Sequence, residues 1–570
     1  MSSKDDHRSR RTCDAAVMLN QLKGRFRRRY VAILVFFLVT LLLWKNHTDA
    51  ISANSVHRTP PPLGGIHYVP SSYDWSRARV FYPVKEVIAP PRGSLKHFPR
   101  VQSRGNTKID DITRSRRDAI RNAFIKSWNA YKSKAWGHDE LAPLSETGKK
   151  SLSGYGAQLI DALDTLWIMD LKDEFKLAVR QVATIDWAAT RDHINVFEVT
   201  IRHLGGLIAA YELSSEQVLL YKAVELGDML YAAFDTPNRL PPHWLDVYKA
   251  RSGRQEADAS MSGAAGGSLC LEFTRLTQIT GDPKYYDATE RLKQFFHKFQ
   301  NETTIPGLWP HTMNYQKEKM THTLYTLGAG SDSMYEYLPK MHALLGGLDL
   351  EYEKMAIKAL EAARDNLMYK PMNPNDKNYL LVGKATVNKN KAVELAPESE
   401  HLTCFAGGMY ALAGRLLNRG HYTDLGARLT RGCIWAYESF QTNIMPEIVE
   451  LAACESRHKP CAYDTEALPS GRAKNLPAGF VRVRDTEYRL RPEAVESIFY
   501  MWRTTGEKTF REAAWRMWNA ISRETETDLA FATVDDVRYR GSPHLDSMEV
   551  SCSYNLFVLL QAASRGAGAN

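Results

Sequence analysis

From residue 111 onward the apolar positions recur with a helical period. Ile120, Phe124, Trp128 and Tyr131 advance by four, four and three, which sets them on one helical face. Val196, Phe197, Ile201, Leu204, Ile208 and Tyr211 do the same, and sustained period-two alternation is scarce, so this part reads as mainly α. One punctuation recurs: a helix ends at a polar turn and an aromatic residue opens the next. It stands at Lys172-Asp173-Glu174-Phe175, at Ser215-Glu216-Gln217 ahead of Tyr221, and at Gly281-Asp282-Pro283-Lys284-Tyr285. It returns at Gly347-Leu348-Asp349 ahead of Tyr352, at Gly420-His421-Tyr422 and at Gly506-Glu507-Lys508-Thr509-Phe510. From the second onward the spacing is roughly 65 to 90 residues, room for two helices and a long loop, so the unit is an αα-hairpin. About six or seven such units build either an open solenoid or a closed ring. The long loops 235–262 and 369–397 favour a ring with one elaborated face, where a site would sit.

The region before residue 111 has a different pattern. Tyr30 to Trp44 is an uncharged apolar run preceded by Arg25, Arg27, Arg28 and Arg29. As a helix it reaches about 22 Å, short of a hydrocarbon core of about 30 Å. Its basic flank predicts a cytosolic tail (1–29), a signal-anchor through the lipid bilayer (30–44) and a lumenal remainder, in preference to a cleaved signal peptide. Residues 45–110 are rich in proline and lack helical period, which predicts an extended stem.

Charge follows the same division. Of the net +9, residues 1–45 carry +7 and residues 46–110 carry +5, which leaves −3 for everything after them. The basic balance belongs to the leader and gives no support for nucleic-acid binding by the folded part. Of seven cysteines, Cys13 falls in the predicted cytosolic tail and none of the rest forms paired CxxC clusters, so disulfides plus buried thiols is the default. Asn301-Glu302-Thr303 is a glycosylation sequon.

The chemistry lies in acids set inside apolar helical text. Asp161 and Asp164 stand at i,i+3, Asp332 and Glu336 at i,i+4, and Glu493 and Glu496 again at i,i+3. Glu198 can pair with Arg202 at i,i+4, and Glu272 follows the glycine-rich stretch 263–267. Like charges on one face repel, and burying them unpaired is costly. Any single pair reads most simply as a solvated face or a salt bridge. Five such segments on different hairpins point to convergence on the axis of a closed ring. An acidic cavity edged by aromatics suits hydrolysis of glycosides by a carboxyl pair, or a hard cation such as calcium held through oxygens. No Lys-Ser/Thr phosphate loop, HExxH or GxSxG is present, so phosphoryl transfer, zinc proteolysis and esterase chemistry lack support.

Trp136-Gly137-His138-Asp139-Glu140-Leu141, Ile160 to Trp167, Phe197 to Arg202, Leu271-Glu272-Phe273, Asp332 to Leu338, His401 to Phe405 and Arg491 to Ser497 together resemble class I α-1,2-mannosidases, glycoside hydrolase family 47. The resemblance runs from about residue 110 to Glu549 and implies an all-α (αα)7 barrel over 111–549 behind the membrane anchor. It further implies a single-pass type II protein of the ER or Golgi membrane, expected to be a monomer. The implied activity is calcium-dependent removal of α-1,2-linked mannose from high-mannose N-glycans, with inversion. Carried over by motif, Glu198 corresponds to the general acid working through a water, Glu493 to the base, and Asp332 to the remaining catalytic carboxylate. Asp164, Arg202, Glu272, Glu336, His401, Arg491, Glu496 and Glu549 correspond to pocket positions for the sugar or for calcium-bound waters. Cys404 and Cys433 match the family's disulfide, with Cys454 and Cys461 a second candidate pair. Two residues before Asp332, enzymes that trim a single mannose carry Arg. Gly330 stands there instead and implies room for several glycan branches, hence trimming of Man9 to shorter forms.

One family motif is missing. A Thr-Glu-Ala-His-Pro stretch near the C-terminus, whose Thr supplies calcium's direct protein ligands, does not occur in this chain, so no direct metal ligand is carried over and Glu493, Glu496 and Glu549 remain as water-shell candidates. After Glu549 the text departs from the family. Val550-Ser551 can be encoded by GTGAGT, an intron start, so residues 550–570 are expected to be an aberrant tail from a retained intron or a faulty gene model, the alternative being a genuine end. The other function class left open is a catalytically inert, mannose-recognising lectin of ER quality control.

Overall fold

The computed structural model describes residues 65–549, apart from 105–109, 189–192, 321, 462, 465 and 467–474. The expected tail, anchor and aberrant C-terminus lie outside the described residues. Among those residues no helix is long and apolar enough to cross a membrane.

The hairpin reading holds in detail. Helix α1 (Asp111–Lys134) opens on Asp110, whose carboxylate accepts from the Thr113 N–H at 2.7 Å. Its predicted apolar face, Ile120, Phe124, Trp128 and Tyr131, is buried. Six pairs follow: α2 (Leu163–Ile168) with α3 (Lys172–Val182), α4 (Gly205–Ser214) with α5 (Gln217–Tyr231), and α6 (Cys270–Thr280) with α7 (Lys284–Phe299). The others are α8 (Asp332–Leu344) with α9 (Leu350–Leu367), α10 (Ala406–Leu416) with α11 (Gly420–Ser439), and α12 (Glu493–Thr505) with α13 (Lys508–Thr525). The polar turns read from the sequence end the first helix of each pair by known devices. Gly281 after α6 and Gly506 after α12 take φ of +79° and +77°, the left-handed cap that glycine adopts without strain. Asp349 then caps α9 through the Glu351 N–H.

The first helices of the pairs form an inner layer in which α2, α4, α6, α8, α10 and α12 pack in sequence. The second helices form the outer wall, and α1 closes it. On one side Arg116 and Lys126 of α1 pair with Glu512 and Glu526 at the two ends of α13. On the other, Trp128 Nε1 and Lys132 both reach Glu174 of α3, at 2.8 and 2.7 Å. The wall elsewhere is tied by Lys293–Glu351 between α7 and α9, Tyr422–Glu361 between α11 and α9, and Arg516–Glu438 between α13 and α11. The described residues thus supply seven outer and six inner helices of an all-α toroid.

Strands are confined to the loops that lead into the inner helices, as the elaborated face required. Leu324–Tyr325 (β1), Lys384–Val387 (β2) and Val393–Ala396 (β3) form one antiparallel sheet in the order β3-β2-β1. Glu398–Glu400 (β4), Ile448–Leu451 (β5) and Phe480–Asp485 (β6) form another. These runs are too short to register as alternation in the sequence.

The stem behaves differently from its prediction. Residues 65–104 do not project as a spacer but lie against the outer wall as a strap. Val69 exchanges hydrogen bonds with Ala183 and Lys222, and Tyr68 and Ser71 donate to Glu225 of α5. The Phe81 and Tyr82 N–H groups both donate to Asp235 at 2.8 Å, and Ile88 N–H donates to Asp287 of α7. Lys96 N–H reaches Gly346 O in the α8–α9 turn, and Ser103 N–H reaches Arg503 O at the end of α12. Proline-rich backbone cannot supply its own helix or sheet hydrogen bonds, and carboxylates of the wall satisfy it here instead.

Both expected disulfides are formed. Cys404–Cys433 ties the turn before α10 to α11, and Cys454–Cys461 closes a short loop, while Cys270 is a buried free thiol.

Candidate active site

The acids picked from the sequence lie at or near the N-terminal ends of the inner helices. Asn195 ends a short strand and caps the following turn, its side-chain oxygen accepting from the Glu198 N–H at 3.0 Å. The helix then widens into a π-type run over Val199–Leu204, a local distortion common at functional sites. Arg202 on that run donates through Nε to Glu198 Oε2 at 2.8 Å, the pairing expected at i,i+4. Facing them from the preceding hairpin, Asp161 has its carboxyl pushed up to about 7 by burial, with Arg202 opposing and Asp164 and Glu198 adding to the shift. Burial also raises Asp164, against hydrogen bonds donated by Thr165.

A second group gathers at α8 and α12. Asp332 opens α8 and accepts from its neighbour's backbone, Ser333 N–H, at 2.8 Å. Burial pushes it up to about 7, and Glu493 and Glu336 add to the shift. Glu496, one helical turn from Glu493, is pushed up to about 8 by burial and Glu336, with Lys340 opposing. Lys340 pairs with Glu336 across one turn of α8 and opposes the shift of Glu496. Glu272 of α6 accepts from Tyr337 Oη at 2.8 Å, and its carboxyl is pushed up to about 7 by burial. A methyl group on Gly205 would stand 3.6 Å from Glu272 Cγ, so the same side chain touches the Glu198 helix on one flank and α8 on the other.

The remaining positions complete the ring. Arg491 donates to the buried Glu447 at 2.6 Å. Glu549, raised by burial, is drawn down by Arg491 and, more weakly, by Arg489 and Arg202, which brings the end of the described chain beside the Glu198 pair. His401 Nδ1 lies 3.7 Å from Glu493 Oε2. Gly330 takes φ +78°, and a Cβ there would stand 2.8 Å from His311 Nε2. The room expected at Gly330 is therefore partly filled by an imidazole contributed from another loop. Asp161 was part of a motif but not among the expected site residues, although its spacing from Asp164 pointed to it. Lys340, Tyr337, Glu447 and His311 carried no distinguishing pattern, because a lone Lys, Tyr or His in helical or loop text usually has a structural role.

The described residues contain no group of three His, Cys, Asp or Glu placed to hold a metal directly. Apart from His401 Nδ1, the groups gathered near Glu493 (Asp332, Glu336 and Glu496) offer carboxylate oxygens, and Glu493 Oε2 is buried without a hydrogen-bond partner. These carboxylates fit a hard cation bound through its water shell, not one caged by side chains.

A sequence profile described as "Glycosyl hydrolase family 47" matches residues 123–553. A probable mannosyl-oligosaccharide alpha-1,2-mannosidase 1B of Aspergillus niger is 32% identical over 477 residues, spanning 81% of this chain and 88% of that protein. A mannosyl-oligosaccharide alpha-1,2-mannosidase of Coccidioides posadasii is 32% identical over 443 residues, with 75% of this chain and 81% of that protein covered. Among solved structures, an alpha-1,2-mannosidase from Trichoderma reesei superposes with a TM-score of 0.69 at 26% identity, covering 78% of this chain and 93% of that one. Hairpin toroid, converging acids and sequence thus agree, and the chain belongs to glycosyl hydrolase family 47.

Proposed function

We propose that this protein is a mannosyl-oligosaccharide α-1,2-mannosidase that trims terminal α-1,2-linked mannose from high-mannose N-glycans during glycoprotein processing. The observation that carries the reading is the convergence of carboxylates from separate hairpins onto the starts of the inner helices, several with protons held near neutrality. An inverting hydrolase needs an acid and a base on opposite sides of the scissile bond, roughly 6.5–9.5 Å apart.

In this reading Glu493 removes the proton from the attacking water, while Glu198, oriented by Arg202, protonates the leaving oxygen through a second water. Asp332, held near pH 7 by burial and by its acidic neighbours, keeps a proton available beside the sugar at working pH. Glu272, Arg491 and Glu549 hydrogen-bond sugar hydroxyls, and Asp164, Glu336 and His401 shape the pocket floor. Glu493, Glu496 and Glu549 would hold a calcium ion through water, and the ion when bound supplies positive charge that offsets the clustered carboxylates and fixes the sugar's hydroxyls. Trimming of Man9 to shorter forms remains the proposed specificity, with His311 at the edge of the space beside Gly330.

Residues 30–44 are proposed as the anchor of a type II protein of the ER or Golgi membrane, acting as a monomer. The catalytic unit is then taken to begin at 65, because the strap is bonded to the wall. The test is release of free mannose from Man9GlcNAc2 by the purified protein with added calcium. Turnover is expected, and Glu493→Gln is expected to lower kcat by about 10²–10⁴. Glycan binding without mannose release would refute the hydrolase.

A further inference from the structure

Behind Glu493 lies a buried chain of polar groups that the proposed reaction does not use. His401 is fully buried on the turn that enters α10. Its Nε2 lies 2.5 Å from Tyr437 Oη, and its Nδ1 faces Glu493 Oε2 at 3.7 Å. His401 Nδ1 and Glu493 Oε2 are both buried, and neither has a hydrogen-bond partner. The ring packs between Tyr437 and Tyr488, at centroid distances of 5.3 and 5.6 Å. Tyr437 sits one turn beyond Cys433 on α11, and Cys404 lies three residues after His401. The Cys404–Cys433 disulfide therefore ties together the two segments that carry this contact.

A neutral imidazole carries one N–H, and a hydrogen bond at one nitrogen fixes which nitrogen holds it. If His401 carried its proton on Nε2, the Nδ1 lone pair would point at a carboxylate oxygen that has no other donor, an arrangement that is costly in a buried site. The opposite tautomer removes the conflict: Tyr437 donates to Nε2 and Nδ1–H points at Glu493. Tyr488 donates its own phenol proton to Arg491 O at 3.2 Å, and burial holds the Tyr437 phenol well above its ordinary pKa, so Tyr437 keeps a proton to donate.

We propose that Tyr437 is a positioning residue that sets the His401 tautomer, so that Nδ1–H orients the Glu493 carboxylate for its work on the attacking water. This rests on the assignment of Glu493 as base. Tyr437 is buried on the outer helix α11 and reaches Glu493 through His401.

The test is a double-mutant cycle on mannose release from Man9GlcNAc2, with kcat and KM measured separately and thermal unfolding followed alongside. Tyr437→Phe is expected to lower kcat about 10- to 100-fold with KM within about twofold. In a His401→Asn background, where the amide supplies an N–H near the Nδ1 position and there is no Nε2, Tyr437→Phe is expected to cost nothing further. An equal loss in both backgrounds, or a KM effect alone, would overturn the proposal. Should His401→Asn fail to fold, ¹⁵N shifts of histidine-labelled wild-type protein report the tautomer, and Nε2–H at His401 would be equally fatal. Glu493→Gln separates the two levels: if it retains full kcat the base assignment fails, whereas an inactive Glu493→Gln beside a fully active Tyr437→Phe rejects only the relay.

Discussion

At the scale of single residues, the site is a set of carboxyls that the fold makes reluctant to ionise. Asp161, Glu272 and Asp332 are all pushed up to about 7, and burial is the leading cause in each. Between about pH 4 and 7 the folded state therefore binds more protons at these groups than the unfolded chain does. Stability from them is full below about pH 4 and is lost as pH rises through 7. His203 acts in the opposite sense. It is buried, with neither ring nitrogen hydrogen-bonded, and is lowered to about 3, so it favours the folded state increasingly as pH rises from 3 to 6.5. These three carboxyls, with Glu496 pushed up to about 8, outweigh the opposing imidazoles, so the calcium-free protein should melt at a lower temperature at pH 8 than at pH 5. Asp161→Asn should flatten that slope, as read by calorimetry across the range. A melting temperature that climbs from pH 5 to pH 8 would show that these groups are not crowded as described. Much of this scale was legible: Glu198, Arg202, Asp332, Glu336, Glu493 and Glu496 stood out because such segments recur on different hairpins, although any one alone reads as a solvated face or a salt bridge. Lys340, Glu447 and Tyr437 did not, since each reveals its role only through a partner on another hairpin.

At the scale of elements, two tethers hold the helices around the site. Cys404–Cys433 links the turn carrying His401 to an outer helix across 29 residues. Replacing both cysteines by serine should cost about 3–4 kcal/mol in denaturant unfolding, as expected for a loop of this size. A change within about 0.5 kcal/mol would mean that the turn is held by packing alone. The strap is the second tether. Asp235→Ala removes the acceptor shared by the Phe81 and Tyr82 N–H groups and the partner of Arg239. Limited proteolysis should then cut between about residues 78 and 92 while hydrolysis of an α-1,2-mannobiose persists. A cleavage pattern like that of the parent protein would show that the strap does not depend on this carboxylate. Proline content identified 45–110 as non-helical but could not distinguish a free stem from a bonded strap. That difference depends on Glu225, Asp235 and Asp287, acids more than 100 residues away.

For the whole molecule, the hairpin count and the elaborated face could be read from periodicity, helped by the glycine or aspartate caps at Gly281, Asp349 and Gly506. Closure could not. The wall closes through α1, which belongs to no repeat and was read as one amphipathic helix; its ion pairs to α13 and hydrogen bonds to α3 join the two ends of the sequence. Closure is what turns five scattered acidic segments into one site, and the proposed inverting reaction requires acid and base on opposite sides of it. The most direct measurement is proton NMR of the sugar released from Man9GlcNAc2 in the first minutes of reaction with calcium present. Hydrolysis by Glu198 and Glu493 across a water should yield β-mannose first, with the α-anomer growing in only by mutarotation. First release as α-mannose would mean that the two carboxyls work through a covalent intermediate, and would contradict the roles proposed for Glu198 and Glu493.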